Sequence, residues 1–216
     1  MLERLLLTVA LILPAAVFGQ TATSVPRPEV KVGDSWTYSR FDKLTNQITG
    51  TFVITVQKIE GGEITMESRS AGGQGNPALS VFTSDWHVRK RLGRGFDPAI
   101  PEYAFPLEIG KSWEGKYTGP DPRGASLVDY ELKGKVVGAE SVTVSAGTFD
   151  AMKIQLETSW LYKGPFTLGG SLLYGTFVQT IWYAPKAKRF VKMDIERHRR
   201  PFLEREILEL KELKLN

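Results

Sequence analysis

Along most of the chain, apolar and polar residues alternate with a period of two, the repeat of a strand that is wet on one face. Met152, Ile154, Leu156, Thr158, Trp160 and Tyr162 form one side of such a run, and Lys153, Gln155, Glu157 and Ser159 the other. Val128, Tyr130, Leu132 and Val136 alternate in the same way with Asp129, Glu131, Lys133 and Lys135, and Val191, Met193 and Ile195 with Lys192, Asp194 and Glu196. Turn residues fall between the runs, at Gly61-Gly62, Gly138-Ala139, Ala146-Gly147, Gly169-Gly170 and in the Gly- and Pro-rich stretch 119–124. The pattern predicts an all-β, antiparallel domain, either a β-sandwich or a partly open barrel of about eight to eleven strands.

Three stretches depart from simple alternation. Between Leu172 and Tyr183 both faces are apolar, with Tyr174, Val178 and Trp182 on one and Leu173, Phe177, Ile181 and Tyr183 on the other. Such a strand is covered on both sides, so it is central or lines a cavity. Trp182, Tyr183, Tyr174 and Phe177 are therefore the candidate ligand-binding residues, with the adjacent aromatics Trp182 and Tyr183 pointing to opposite faces. Near the C-terminus helical and strand patterns compete; a turn at Arg200-Pro201 favours a last strand. The Gly- and Pro-rich stretch 71–104 reads as a loop-rich excursion around one short hairpin, Ser80 to Leu92.

A short echo links two parts of the chain. Val32-Gly33-Asp34-Ser35-Trp36 recurs 77 residues later as Ile109-Gly110-Lys111-Ser112-Trp113. In each copy the glycine suits a tight turn into a strand, and the tryptophan follows with a large apolar surface to bury. The echo suggests two similar meanders, about 29–70 and 105–216, within a single β-rich domain spanning 23–216.

The first 22 residues carry an early Arg4, an apolar run from Leu5 to Phe18 and then small residues. This is the form of a secretory signal peptide (1–22), with cleavage after Gly19 or after Ala22. Its apolar run is short of the ~20 residues that a spanning helix needs. No transmembrane segment is expected after its removal, and a mature chain of about 195 residues would be exported to the periplasm or secreted. The sequence contains no Cys, so an exported form must draw its stability from a packed core and not from disulfides.

Charge changes the picture locally. The net charge is only +4, from 28 Lys+Arg against 24 Asp+Glu. Yet the segment from Trp86 to Arg94 carries +4 and that from Lys186 to Arg200 carries +5, leaving the rest of the chain at −5. Arg89, Arg91, Arg94, Lys188, Arg189 and Arg197 are thus candidates for a patch that meets an anionic partner such as lipid headgroups or an acidic envelope protein. The competing reading is that these cations protect sheet edges from pairing with other chains. Nucleic acid is not an expected partner in the exported compartment.

The signs of an enzyme are sparse. There is no Gly-x-Ser-x-Gly elbow, no Ser-x-x-Lys pair, no phosphate-binding glycine loop and no Cys, and the two His, His87 and His198, belong to no ligand-spaced cluster. No metal or cofactor is implied. Asp85 and His87 would share one strand face and could pair, as neighbours on a strand surface often do. Dispersed carboxylates, distant in sequence, would be the remaining route to a hydrolase. The expected function is a non-enzymatic β domain that binds a hydrophobic or amphipathic ligand or an envelope partner; the alternatives are a structural or interaction module with a filled core, and such a hydrolase.

Taken as a set, Val32-Gly33-Asp34-Ser35-Trp36-Thr37-Tyr38, the Phe105–Trp113 stretch with Ile109-Gly110-Lys111-Ser112-Trp113, the Val144-Ser145-Ala146-Gly147-Thr148-Phe149-Asp150-Ala151 hairpin, and Ile181-Trp182-Tyr183-Ala184-Pro185 leading to Arg189-Phe190-Val191-Lys192 resemble a large group of exported β-rich bacterial proteins of unassigned function. Ser145 stands where that group usually has proline, a change confined to the turn. The resemblance implies an antiparallel β fold and a Gram-negative periplasmic or envelope location, and it carries over no catalytic residues.

Overall fold

A computed structural model describes residues 24–73, 75–122, 126–161, 174–199 and 202–216. The expected leader lies outside the described residues. Fourteen strands follow one another: β1 (Ser24–Val25), β2 (Ser35–Asp42), β3 (Ile48–Glu60), β4 (Glu63–Ser70), β5 (Ala78–Thr83), β6 (Val88–Arg91), β7 (Arg94–Ile100), β8 (Leu107–Glu108), β9 (Ser112–Pro120), β10 (Leu127–Val144), β11 (Gly147–Leu161), β12 (Tyr174–Ala184), β13 (Arg189–Arg199) and β14 (Phe202–Lys214). A 3-10 turn, Pro185–Ala187, joins β12 to β13.

Twelve of these strands close into one antiparallel barrel, in the order β2-β3-β4-β5-β6-β7-β9-β10-β11-β12-β13-β14 and back to β2, while β1 pairs separately with β8. The barrel is closed and has one strand more than the upper end of the expected range. Stretch 71–104 explains the difference, because it supplies β5, β6 and β7 to the wall. β5 and β6 fall on the hairpin expected between Ser80 and Leu92, while β7 carries Gly95 and Pro98, so its local pattern is that of a loop, and pairing with β6 and β9 makes it a strand. The C-terminal segment is a strand, paired with both β13 and β2.

Closure around one axis divides the barrel into two six-stranded meanders, β2–β7 and β9–β14, each preceded by a short strand. The first meander therefore runs on to Ile100, beyond the boundary near 70 that the pattern suggested. The sequence echo lies at the entrance to each. Gly33 has φ +90° and Gly110 φ +88°. The Gly33 amide donates to the Val56 carbonyl (2.9 Å) and the Gly110 amide to the Val136 carbonyl (2.8 Å). The amides of Val56 and Val136 donate back to the carbonyls of Asp34 and Lys111, and a β-bulge follows each valine. One short motif thus makes the same locked turn twice.

The period-two pattern sorts the wall into a wet outside and an apolar inside. Asp129, Glu131, Lys133 and Lys135 lie outside on β10, while Val128, Tyr130, Leu132 and Val136 are buried. This is the reverse of a membrane barrel, whose outer band is apolar. No helix among the described residues is long and apolar enough to cross a membrane.

One end of the barrel is sealed. Segment 101–106 turns inward there, burying Glu102 and Tyr103, and Tyr103 packs against Tyr183 with ring centroids 5.7 Å apart. The carboxylate of fully buried Asp34 fastens the same end. It accepts hydrogen bonds from the Asn216 amide (2.7 Å), the Lys31 amide (2.9 Å) and Lys188 Nζ (3.3 Å), so the segment before β2, the residues after β14 and the β12–β13 turn meet on one side chain.

Candidate functional site

The described residues do not fill the barrel interior. Two adjoining chambers of about 490 and 480 Å³ share Arg91, Leu92, Glu102, Gln179, Ile195 and Arg197 in their walls. One is bounded by Phe96, Tyr117, Tyr130, Leu132, Leu156 and Phe177, the other by Phe52, Met66, Phe82, Phe190, Met193 and Leu208. Both reach the end opposite the plug, where Pro120 and Ser70 border them. Volumes of this size and apolar lining are typical of small-molecule sites.

The charged groups in these walls are mostly arginines. Arg40, Arg91, Arg94, Arg189 and Arg197 face Glu102, Glu204 and Glu206, an excess of two positive charges within an apolar enclosure. Four of the interactions are ion pairs: Arg91 with Glu102 (2.8 Å), Arg197 with Glu206 (2.6 Å) and more distantly Glu204 (3.9 Å), and Arg40 with Glu206 (3.4 Å). Because the three glutamates are engaged by arginine, no free pair of carboxylates of the kind a dispersed-acid hydrolase would use converges in this cavity among the described residues. Among them, too, no three His, Cys, Asp or Glu side chains gather as a metal site requires.

Arg189 occupies the deep end of the second chamber. Its residue is 9% exposed, and its guanidinium lies over the rings of Trp36 (5.4 Å), Phe82 (5.7 Å) and Phe190 (5.3 Å). Nη1 contacts Met66 Sδ at 3.0 Å, and Nε is buried with no hydrogen-bond partner. Three phenols surround this charge. Burial pushes Tyr38, Tyr103 and Tyr183 above the usual phenol range, and the positive charge of Arg189 only partly offsets it. Those phenols stay neutral and give the guanidinium no counter-charge. Burial likewise raises Tyr117, and Tyr130 is pushed up to about 12, so the aromatic lining is uncharged at physiological pH.

The barrel is similar to two solved structures. One, from Parabacteroides distasonis and provisionally described as a lipoprotein, is 15% identical over 88% of this chain and 99% of that one, with a TM-score of 0.52. The other, from Bacteroides fragilis and provisionally described as an exported protein with a YmcC-like fold, is 16% identical over 88% and 99%, with a TM-score of 0.54. The fold is similar to the YmcC-like fold. No family model matches the chain, and no curated protein matches its sequence. Neither structural neighbour's description names an activity.

In this YmcC-like barrel the aromatics expected to bind a ligand divide by strand parity. Phe177 and Tyr183 face inward: Phe177 borders the first chamber and stacks toward Tyr130 (6.5 Å), and Tyr183 is part of the plug. Trp182 and Tyr174 take the outward register. Trp182 bonds to Glu140 and lies under the ammonium groups of Lys153 (5.2 Å) and Lys192 (5.8 Å), and Tyr174 is half-exposed. Trp182 is thus held on the outer wall, away from the cavity.

The six cations expected to form one anionic-partner patch divide between the cavity and the outer wall. Arg91, Arg189 and Arg197 line the interior, and Arg94, which borders the first chamber, donates to the Pro122 carbonyl (3.4 Å). Arg89 pairs with Glu63 (2.8 Å), and Lys188 is tied to Asp34 at the sealed end. Alternation along a strand splits a linear run of charges between its two faces, so a cluster in sequence is not a patch in space. Edge protection does not account for them either, since β6 and β13 each have a paired strand on both sides. Asp85 pairs with Arg27 (3.2 Å) in the β5–β6 turn, and no bond joins it to His87. The interior arginines did leave a signal: Arg189 and Arg197 share the parity of Val191, Met193 and Ile195, the buried face of β13.

Proposed function

We propose that this protein is an exported, non-enzymatic carrier that holds a hydrophobic or amphipathic small molecule inside its barrel, in the periplasm or at the cell envelope. The observation that carries the reading is the pair of chambers inside a wall whose outer face is wet and charged. A module built only for structure or surface contact would gain by filling that space, because unfilled apolar volume is destabilising. The leader-like N-terminus supports export, as do neighbours described as a lipoprotein and an exported protein.

The test is direct. Protein purified from the periplasm, examined by native mass spectrometry beside an organic extract, is expected to carry an amphiphile of defined mass. Phe177→Ala, which removes an inward ring from the first chamber, should reduce its occupancy, whereas Trp182→Ala on the outer wall should not. Repeated empty spectra from freshly isolated protein would favour the structural module instead.

A further inference from the structure

We propose that Arg189 receives the carboxylate of a single-chain amphiphile whose alkyl tail runs along the barrel interior. The proposal rests on the carrier reading above and adds the chemistry of the head group. Arg189 is the exception among the arginines away from the open end, where Arg94 has the Pro122 carbonyl as its bonded partner. Arg40, Arg91 and Arg197 each have a glutamate, while no carboxylate of the described residues makes an ion pair with Arg189. Glu102 borders the same part of the cavity but is paired with Arg91. The Tyr38 hydroxyl and the Met66 thioether are neutral acceptors, and the three rings supply only part of what water would give a guanidinium.

A buried, uncompensated cation is destabilising, and most ionisable groups relieve the penalty by shedding the charge. Arginine cannot, since it does not deprotonate in proteins. An anion brought from outside would supply the counter-charge that Tyr38, Met66 and the three rings do not. The planar guanidinium borders the second chamber, and its remaining donors match a carboxylate. A single guanidinium at the sealed end, with Arg94 at the opposite end of the cavity, calls for a monoanion there, which favours a carboxylate over a phosphate dianion.

Position sets the rest of the ligand. Arg189 opens β13 at the sealed end, and Arg197 lies eight residues further along the same strand. With ~3.3 Å per residue and a strand tilt of ~40°, that leaves on the order of 20 Å along the axis for a tail. Met193, Ile195, Leu208 and Phe52 border that path. Chambers of about 490 and 480 Å³ suit one chain better than a diacyl lipid.

Delipidated protein titrated below the micelle threshold with hexadecanoate, hexadecanol and hexadecyl phosphate separates the outcomes. Hexadecanoate should bind at least about tenfold tighter than hexadecanol, and tighter than the phosphate. Arg189→Met should abolish the preference for acid over alcohol while keeping the alcohol's affinity, and the unliganded variant should melt at a higher temperature than unliganded wild type. If Arg189→Met does not fold, the wild-type ratio of acid to alcohol decides. Equal binding of acid and alcohol by wild type, or an undiminished preference in the variant, overturns the Arg189 proposal and leaves the carrier reading standing. A preference for the phosphate overturns the carboxylate assignment. Binding of none of the three overturns both.

Discussion

Asp34 shows how much a single side chain can hold together. It is fully buried, and burial alone would raise its carboxyl, but the amides of Asn216 and Lys31 and the ammonium of Lys188 keep it below its ordinary value of 3.8. A carboxyl lowered by folding contributes stability that is fully present above its unfolded value and is lost as pH falls through its folded value. Asp34→Asn, which keeps the shape and removes the charge, should therefore cost about 1–3 kcal/mol near neutrality. Thermal melts check this: the gap between wild type and variant should be wide at about pH 7 and narrow at about pH 2.5. A gap independent of pH would mean that the charge is not what matters. Asp34 and Arg189 stand in instructive contrast at the same end of the barrel, one buried charge fully satisfied by the chain and the other not.

At the scale of elements, the twin turns carry a sharper prediction than either strand pattern. Both glycines adopt positive φ, where any other residue is strained by about 1–2 kcal/mol. Gly110 faces open space, and the Asn216 amide that a Cβ on Gly33 would meet at 2.6 Å is the far end of a flexible side chain that can swing aside. Gly33→Ala and Gly110→Ala should thus lower the denaturation midpoint by similar amounts, set by the backbone. A much larger loss at Gly33 would show that the Asn216 contact, and not backbone strain, governs that turn. The echo and the long strands were readable from the sequence because they rest on local rules, alternation and turn chemistry. The short hairpin Ser80 to Leu92 was readable too and falls on β5 and β6, but β7 was not, because Gly95 and Pro98 weaken its local signal and only its neighbours β6 and β9 make it a strand. The same limit applies to Trp182 and Tyr183: adjacency on a strand told that they face opposite ways, but not which way was in.

For the whole molecule, closure is complete but uneven. β10 and β11 pair over almost their full lengths, while β7 meets β9 through a single registered Cα pair, Asp97 with Thr118, and β5–β6 and β6–β7 are short and bulged. Local opening follows the density of such pairing. Hydrogen exchange should find the amides of β6 and β7 least protected among the barrel strands and those of β10 and β11 most protected. Uniform protection around the barrel would contradict a weak seam. That seam borders both chambers through Arg91 and Phe96, so it is also the part of the wall best placed to yield when a ligand enters.

The sequence by itself determined that the chain is antiparallel β, which residues alternate between water and core, and where the two equivalent turns fall. Each of these depends on residues close together along the chain. Only the tertiary structure decided that the sheet closes at twelve strands, that its inside is hollow, and that Arg189 ends in that hollow without a counter-charge. Those outcomes depend on which segments meet across the barrel: β14 on β2, β7 on β9, and Glu102 on Arg91 and not on Arg189. No window of sequence contains both partners of such a meeting, and the charge left over is visible only when all the partners are in place.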